Sequence, residues 1–322
     1  MTESPFGATS TTDDVLADID LSGHVAAVTG GTGGLGLETG RALAAHGAHV
    51  VLAGRDADKL AAAQAAIRDQ HGDASIETLV LDLTDIASCR VAAMSLLTTN
   101  DRLDLLINNA GVMCTPFGRT PSGFETQFGV NHLGHMAWTV PLLDLLSRSA
   151  TADSPSRIIN LSSAGHRFGD IDLEDPNYEH RPYDEWEAYG QSKTANVLFS
   201  VELERRVGPL GVRSAAVHPG GIHTDLGRHM TPEVLTQLKA RIAQTNPDGD
   251  FSWKSIPQGA ATTVWAATTP VLAARAGVYC EDCGVAEVSD DPTASAGVQS
   301  YAVDPQRAAT LWDRSMEMLA TA

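Results

Sequence analysis

Residues Thr29-Gly30-Gly31-Thr32-Gly33-Gly34-Leu35-Gly36 place five glycines in eight positions. Such a run is either a flexible linker or a tight turn pressed against something. Its flanks decide between the two. His24 to Val28 is a short apolar run of strand type, and Leu35 to His46 is Ala-rich with helical spacing, closed by Gly47. A strand that ends on glycines which then open a helix is the context a dinucleotide-phosphate turn requires. Glycine lets the backbone approach a pyrophosphate, and the helix N-terminus offers unpaired N–H groups and the positive end of its dipole. The spacing is Thr-Gly-x-x-x-Gly-x-Gly rather than Gly-x-Gly-x-x-Gly, and a purely structural turn is the competing reading. Thr29, Gly30, Thr32, Gly34, Leu35 and Gly36 are the residues this turn would bring to a dinucleotide.

The same alternation continues along the chain. Ala48 to Ala53, Ile76 to Leu81, Leu103 to Ile107, Arg157 to Leu161 and Val212 to Val217 read as strands. Asp56 to His71, with Asp56 as N-cap, Asp85 to Leu97, Phe128 to Leu146 and Trp186 to Val207 read as helices. Strands alternating with helices predict βαβ units, and so an α/β fold with a doubly wound parallel sheet and helices on both faces. No break divides the pattern, so a single domain is expected over 21–322, after a flexible arm over 1–20 with one helical turn near Asp13 to Asp18. Two less regular segments, 166–186 and 221–258, leave strand ends and are expected to form a substrate lid.

Composition bounds the partners. The chain of 322 residues is 43% hydrophobic and 19% charged, as soluble globular proteins are. Its net charge of −18 argues against nucleic acid and anionic membrane, which need a positive surface. No apolar run reaches the ~18 residues of a membrane span, and the N-terminus lacks a signal peptide's basic and apolar regions, so a cytoplasmic location is expected. Cys280 and Cys283 form a lone Cys-x-x-Cys, read as two reduced thiols in a turn.

The strand ends carry the chemistry. An acid after the second strand would suit the adenosine ribose of NAD; Gly54-Arg55 stands there instead, and an Arg suits the 2′-phosphate of NADP. A solvated Arg55 near a helix start is the competing reading. After the third strand, Asp82-Leu83 offers an acceptor for an adenine amino group, or a cap for the next helix. After the fourth, Asn108-Asn109-Ala110-Gly111 is small and polar where a cofactor would pass. Asn131 lies inside a helical segment, which is locally unfavourable and invites a functional reading. Ser162-Ser163 closes the fifth strand. Tyr189 and Lys193 stand four apart, on one helix face. A free phenol titrates near ~10, and a neighbouring ammonium lowers that value toward general acid/base use.

In this order the residues resemble the short-chain dehydrogenase/reductase family across roughly 20–290, a Rossmann-type fold. The carrying set is Thr29-Gly30…Gly34…Gly36, Asn108-Asn109-Ala110-Gly111, Asn131, Ser163, Tyr189, Lys193 and His218-Pro219-Gly220. Ala53-Gly54-Arg55-Asp56, Asn131-His132-Leu133-Gly134-His135, Ser162-Ser163-Ala164-Gly165-His166 and Val278 to Cys283 are similar to its retinol dehydrogenase/WW-domain-oxidoreductase-like branch. The resemblance implies an NAD(P)-dependent oxidoreductase that moves a hydride between a nicotinamide and an alcohol or carbonyl. Tyr189 is then the general acid/base and Ser163 the hydrogen-bond partner of the reacting oxygen. Lys193 lowers the Tyr189 pKa and holds the nicotinamide ribose, and Asn131 holds a water that relays protons. The residues alone leave Ser162 and Ser163 both open; the family pattern selects the second. Pro219, Gly220, Ile222 and Thr224 match the segment that passes the nicotinamide amide and phosphates. Homo-oligomers, dimers or tetramers, are implied as well.

The interval from Ser163 to Tyr189 is long, so their relative placement rests on an inserted loop over 166–186. One departure bears on the cofactor: Gly33 stands where many NADP-dependent members carry a basic residue, which leaves Arg55 as the visible phosphate clamp. NADP is favoured, with NAD as the alternative. His132, His135, His166, His218 and His223 are scattered without metal-ligand spacing, so no metal is expected. His166, His223 and Trp186 are candidate substrate contacts, and Met230, Phe251 and Trp253 candidate lid residues for a bulky lipophilic small molecule. A dinucleotide-binding regulatory protein without turnover is the alternative from another class.

Overall fold

The computed structural model describes residues 4–245 and 253–322. Eight strands form one sheet: β1 (Val25–Thr29), β2 (His49–Gly54), β3 (Ile76–Val80), β4 (Leu105–Asn108), β5 (Ser156–Leu161), β6 (Val212–His218), β7 (Val278–Glu281) and β8 (Gly284–Val285). Their order is β3-β2-β1-β4-β5-β6-β7-β8. All neighbours pair in parallel except β7 and β8. Parallel pairing needs crossovers, and helices supply them on both faces.

Period-2 alternation sorts the strand residues between two cores. Ala27, Val51, Leu106 and Ile158 face the layer that holds helices Ile86–Thr99, Glu185–Val207 and Pro305–Ala320. Ala26, Val50, Leu105 and Ile159 face helices Gly34–Ala45, Ala57–Gln70 and Ile256–Thr268. The strand order reverses between β1 and β4, and an open α/β sheet forms its ligand crevice at such a switch point. Side-chain caps start the helices that flank it. Asp56 accepts from Lys59 N, Asp85 from Ala87 N and Asp184 from Glu187 N.

Three segments differ from the sequence expectations. Within the stretch read as a flexible arm, Thr12–Leu16 is a helix with a capping box, and Val15 and Leu16 are buried in the second core. Burying these apolar side chains offsets the entropy of ordering them. The helix expected over Phe128 to Leu146 runs instead in pieces: Thr126–Phe128, a π-helical Gly129–Gly134, His135–Thr139, a 3-10 turn Val140–Leu142 and Leu143–Ser149. The π segment brings Gly134 against Leu83, where a Cβ would stand 2.4 Å from the Leu83 carbonyl oxygen. Finally, the lid segment 221–258 includes the start of the Ile256–Thr268 helix, whose centre is buried.

Candidate active site

The ends of β1 and β4 are tied together first. Thr29 Oγ1 accepts from Asn109 N (2.9 Å) and Ala110 N (3.0 Å). His135 Nε2 lies 2.9 Å from the same oxygen, and His135 Nδ1 lies 3.0 Å from the Asn131 carbonyl. That carbonyl can only accept, so the ring proton is on Nδ1, and the Thr29 hydroxyl donates to Nε2. Burial holds this histidine neutral, its pKa pushed down to about 4. Thr29 is thus a buried knot between strands as well as part of the cleft wall.

The cleft beyond this knot has a volume of about 400 Å³. Gly30, Thr32, Gly34 and Leu35 form its floor at the N-terminus of helix Gly34–Ala45. Gly34 has φ +53°, a left-handed conformation that glycine adopts without strain. Gly36 does not line the cleft. A Cβ there would stand 2.3 Å from the Gly30 carbonyl oxygen, so glycine permits the close packing of helix on strand. Arg55, Asp82, Leu83, Asn109, Ala110, Gly111 and Thr224 complete the expected wall. Asp82 Oδ1 accepts from Thr84 N and Oγ1, while Asp85 caps the next helix, so the cap alternative does not apply to Asp82. Lys59 and Arg228 also line the cleft, two cations that the sequence reading missed. Lys59 stands in the first turn of the helix that Asp56 caps, right after Arg55, which is the signal that could have found it. A backbone cradle at a helix N-terminus flanked by cations suits a phosphate-bearing dinucleotide.

A second cavity of about 250 Å³ adjoins the cleft, and Leu35, Asn109, Gly111 and Thr224 line both. Ser162, Ser163, Tyr189, Lys193, Pro219, Gly220 and Ile222 line the second. Tyr189 is 3% exposed, its ring edge-on to Trp186. Burial pushes its phenol well above the ordinary tyrosine range, and a hydrogen bond with Ser163 pulls the other way. Lys193 lies 5.7 Å from the Tyr189 ring centroid and donates to the Leu161 carbonyl (2.9 Å). Burial lowers Lys193 to about 8. In this structure burial, and not the Lys193 ammonium, is the largest influence on the Tyr189 phenol. The two serines differ in their partners. Ser162 Oγ donates to the Lys193 main-chain carbonyl (2.9 Å), whereas Ser163 bonds Tyr189 and accepts from Gly165 N (3.0 Å).

Other expected contacts lie elsewhere. Asn131 is buried and lines neither cavity. Its amide holds Val112 by both backbone groups (2.8 and 2.9 Å) and donates to Ser192 Oγ (2.9 Å). His166, expected at the substrate, is buried behind Ser163: Nδ1 donates to the Ser163 carbonyl (2.7 Å) and Nε2 accepts from Gln299 N (3.2 Å). A 3-10 turn over Ala164–Phe168 rotates it inward. His223 does line the cavity and stacks on Trp253 at 3.7 Å, and Trp186 and Met230 line it too. Phe251 lies outside the described residues. Cys280 and Cys283 are free and buried, and among the described residues no group of three or more His, Cys, Asp or Glu is placed to hold a metal ion.

The family model described as short chain dehydrogenase matches residues 24–234. The chain belongs to the short-chain dehydrogenase/reductase family. Short-chain dehydrogenase/reductase prx1 of Penicillium rubens is 39% identical over 320 residues, 98% of this chain and 92% of its own length. Human retinol dehydrogenase 13 is 38% identical over 302 residues, 93% of this chain and 85% of its own, in keeping with the retinol dehydrogenase-like branch. The solved Pseudomonas aeruginosa RhlG/NADP active-site complex superimposes with a TM-score of 0.62 at 27% identity, covering 81% of this chain and 95% of that one. The family is one of oxidoreductases that act on small-molecule alcohols or carbonyls. No helix among the described residues is long and apolar enough to cross a membrane.

Proposed function

We propose that this oxidoreductase uses NADP(H) in preference to NAD(H) to interconvert a carbonyl and an alcohol on a lipophilic small molecule. One observation carries the reading: Tyr189, Ser163 and Lys193 share a predominantly apolar cavity that adjoins the glycine-floored cleft. The reading without turnover has no comparable support, since it leaves the buried Lys193 ammonium desolvated at a cost with no return.

The glycine turn, Thr224 and the nearby cations hold the dinucleotide, and Arg55 with Lys59 takes the 2′-phosphate. When bound, the nicotinamide supplies or accepts the hydride. The remaining work belongs to the chain. Tyr189 stays protonated at neutral pH and gives its phenolic proton to a substrate carbonyl oxygen; in oxidation its phenolate takes the alcohol proton. Ser163 donates a hydrogen bond to that oxygen as negative charge grows on it. Lys193, still cationic at pH 7, favours the phenolate left after proton donation and bonds the ribose hydroxyls. Asn131 fixes the Val112 backbone at the cleft wall and stays the residue that would hold a proton-relay water. Met113, Phe168, Trp186, Met230, Leu238 and Trp253 exclude water and select apolar substrates.

Fluorescence titration with NADPH and NADH, followed by an absorbance assay on a panel of apolar and charged carbonyls, tests this. NADPH should bind at least ~10-fold more tightly, the gain of one charge-assisted hydrogen bond. Apolar aldehydes or ketones should be reduced. Tighter NADH binding removes the role of Arg55, and turnover confined to charged substrates removes the lipophilic assignment.

A further inference from the structure

The peptide group between Ser163 and Ala164 is gripped at both ends by histidines. Its carbonyl, on Ser163, accepts from His166 Nδ1 at 2.7 Å and from the His166 backbone N–H at 3.0 Å. Its N–H, on Ala164, donates to His218 Nδ1 at 3.2 Å, and Gly220 N reaches the same nitrogen at 3.4 Å. The partners fix the tautomers. A carbonyl can only accept, so His166 carries its proton on Nδ1, and its Nε2 is free to accept from Gln299 N at 3.2 Å. An N–H can only donate, so His218 has a bare Nδ1 and carries its proton on Nε2. The two rings are therefore neutral and of opposite tautomer.

Each histidine is itself anchored. His218 ends β6, and its backbone pairs with Glu281 of β7. His166 is 0% exposed, packs its ring on Tyr279 at 5.0 Å, and through its carbonyl accepts the Tyr301 hydroxyl at 2.8 Å. Holding this one peptide plane fixes ψ of Ser163 and φ of Ala164, and so the direction in which the Ser163 side chain leaves the backbone. The C-terminal stretch around Gln299 to Tyr301 thereby supports the serine from behind.

We propose that His166 and His218 are positioning residues that clamp the Ser163–Ala164 peptide from both sides and so aim the Ser163 hydroxyl at the reacting oxygen. The inference rests on the proposed role of Ser163, and one series separates the two. Ser163→Ala should lower kcat at least ~30-fold, within the range set by loss of one oxyanion donor; if it does not, the serine's role fails. If it does, His166→Phe and His218→Phe should each lower kcat roughly 10-fold or more with the NADPH Kd unchanged. His166→Asn, which keeps a donor, and His218→Asn, which keeps an acceptor, should recover most of that loss. A kcat unmoved in the Phe variants, or Asn variants as impaired as Phe, overturns the clamp. So does a fall in NADPH affinity that accounts for the whole effect. Nitrogen-15 NMR of histidine-labelled wild-type protein reads the tautomers without any variant. Two neutral rings of opposite tautomer are expected at pH 7: burial above all, then Lys254, His166 and Arg167, oppose protonation of His218, and Asp282 favours it. Identical tautomers, or a charged ring, overturn the clamp equally.

Discussion

Replacing Lys193 by Met should stabilise the folded protein while abolishing its turnover. Lys193 is 3% exposed and, among the described residues, no carboxylate forms an ion pair with it; burial brings its pKa from 10.5 to about 8. At about 1.36 kcal/mol per pK unit, keeping the charge inside costs about 3 kcal/mol at neutral pH. Methionine fills a similar volume without charge. The Leu161 carbonyl loses the Lys193 ammonium but keeps Asn196 Nδ2 at 2.9 Å, so it is not left unsatisfied. Allowing about 1 kcal/mol for the lost hydrogen bond, the variant gains about 2 kcal/mol at pH 7. The sign of the pH dependence follows from the lowered pKa. Between about 8 and 10.5 the unfolded chain binds the proton more than the folded one, so wild-type stability rises with pH relative to the variant. By pH 10 the gain should be close to zero. Urea unfolding of both proteins at pH 7 and pH 10 measures the difference directly. A variant less stable than wild type at pH 7, or a gain that does not shrink with pH, refutes the reasoning.

Arg55→Ala should raise the Kd for NADPH roughly 10-fold and leave that for NADH unchanged, as loss of one charge-assisted contact would; equal effects on both would place Arg55 away from the 2′-phosphate. Ser162→Ala should retain most of kcat, because its hydroxyl is occupied by the Lys193 carbonyl, and steady-state kinetics would show otherwise if the first serine were the reacting one. Trp312→Ala should cost about 3–5 kcal/mol in chemical denaturation, the range for a buried aromatic, since Trp312 stacks on Phe199 at 5.9 Å and carries the Arg206 guanidinium at 4.3 Å. A loss under ~1 kcal/mol would mean the C-terminal helix adds little to the core.

The sheet was legible because its strands are short apolar runs between caps and glycines, and Asp56 and Asp85 mark their helix starts as expected. The glycine turn, Tyr189 and Lys193 were legible through order along the chain, since each falls where a strand end or helix face meets the crevice. His166 was misplaced by the same logic. It follows a strand end, but the 3-10 turn and a partner as distant as Gln299 draw it inward. The π segment at Asn131 escaped because its cause is tertiary: the amide is bonded to Val112, from the β4 loop. Arg228 lies in the irregular lid, where spacing says nothing about which cavity a side chain meets. The Pro305–Ala320 helix, in contrast, shows its buried face in Ala308, Leu311, Trp312, Ser315 and Leu319, a 3.6-residue pattern open to reading.

The most direct test of the account is Tyr189→Phe. The change removes one oxygen and keeps the ring against Trp186, so NADPH should bind as in wild type. With the proton donor gone, kcat for carbonyl reduction should fall by about 10²–10⁴, or about 3–5 kcal/mol in the barrier. Retained NADPH affinity with that loss of kcat is the predicted result; wild-type turnover by the Phe variant would contradict the central claim.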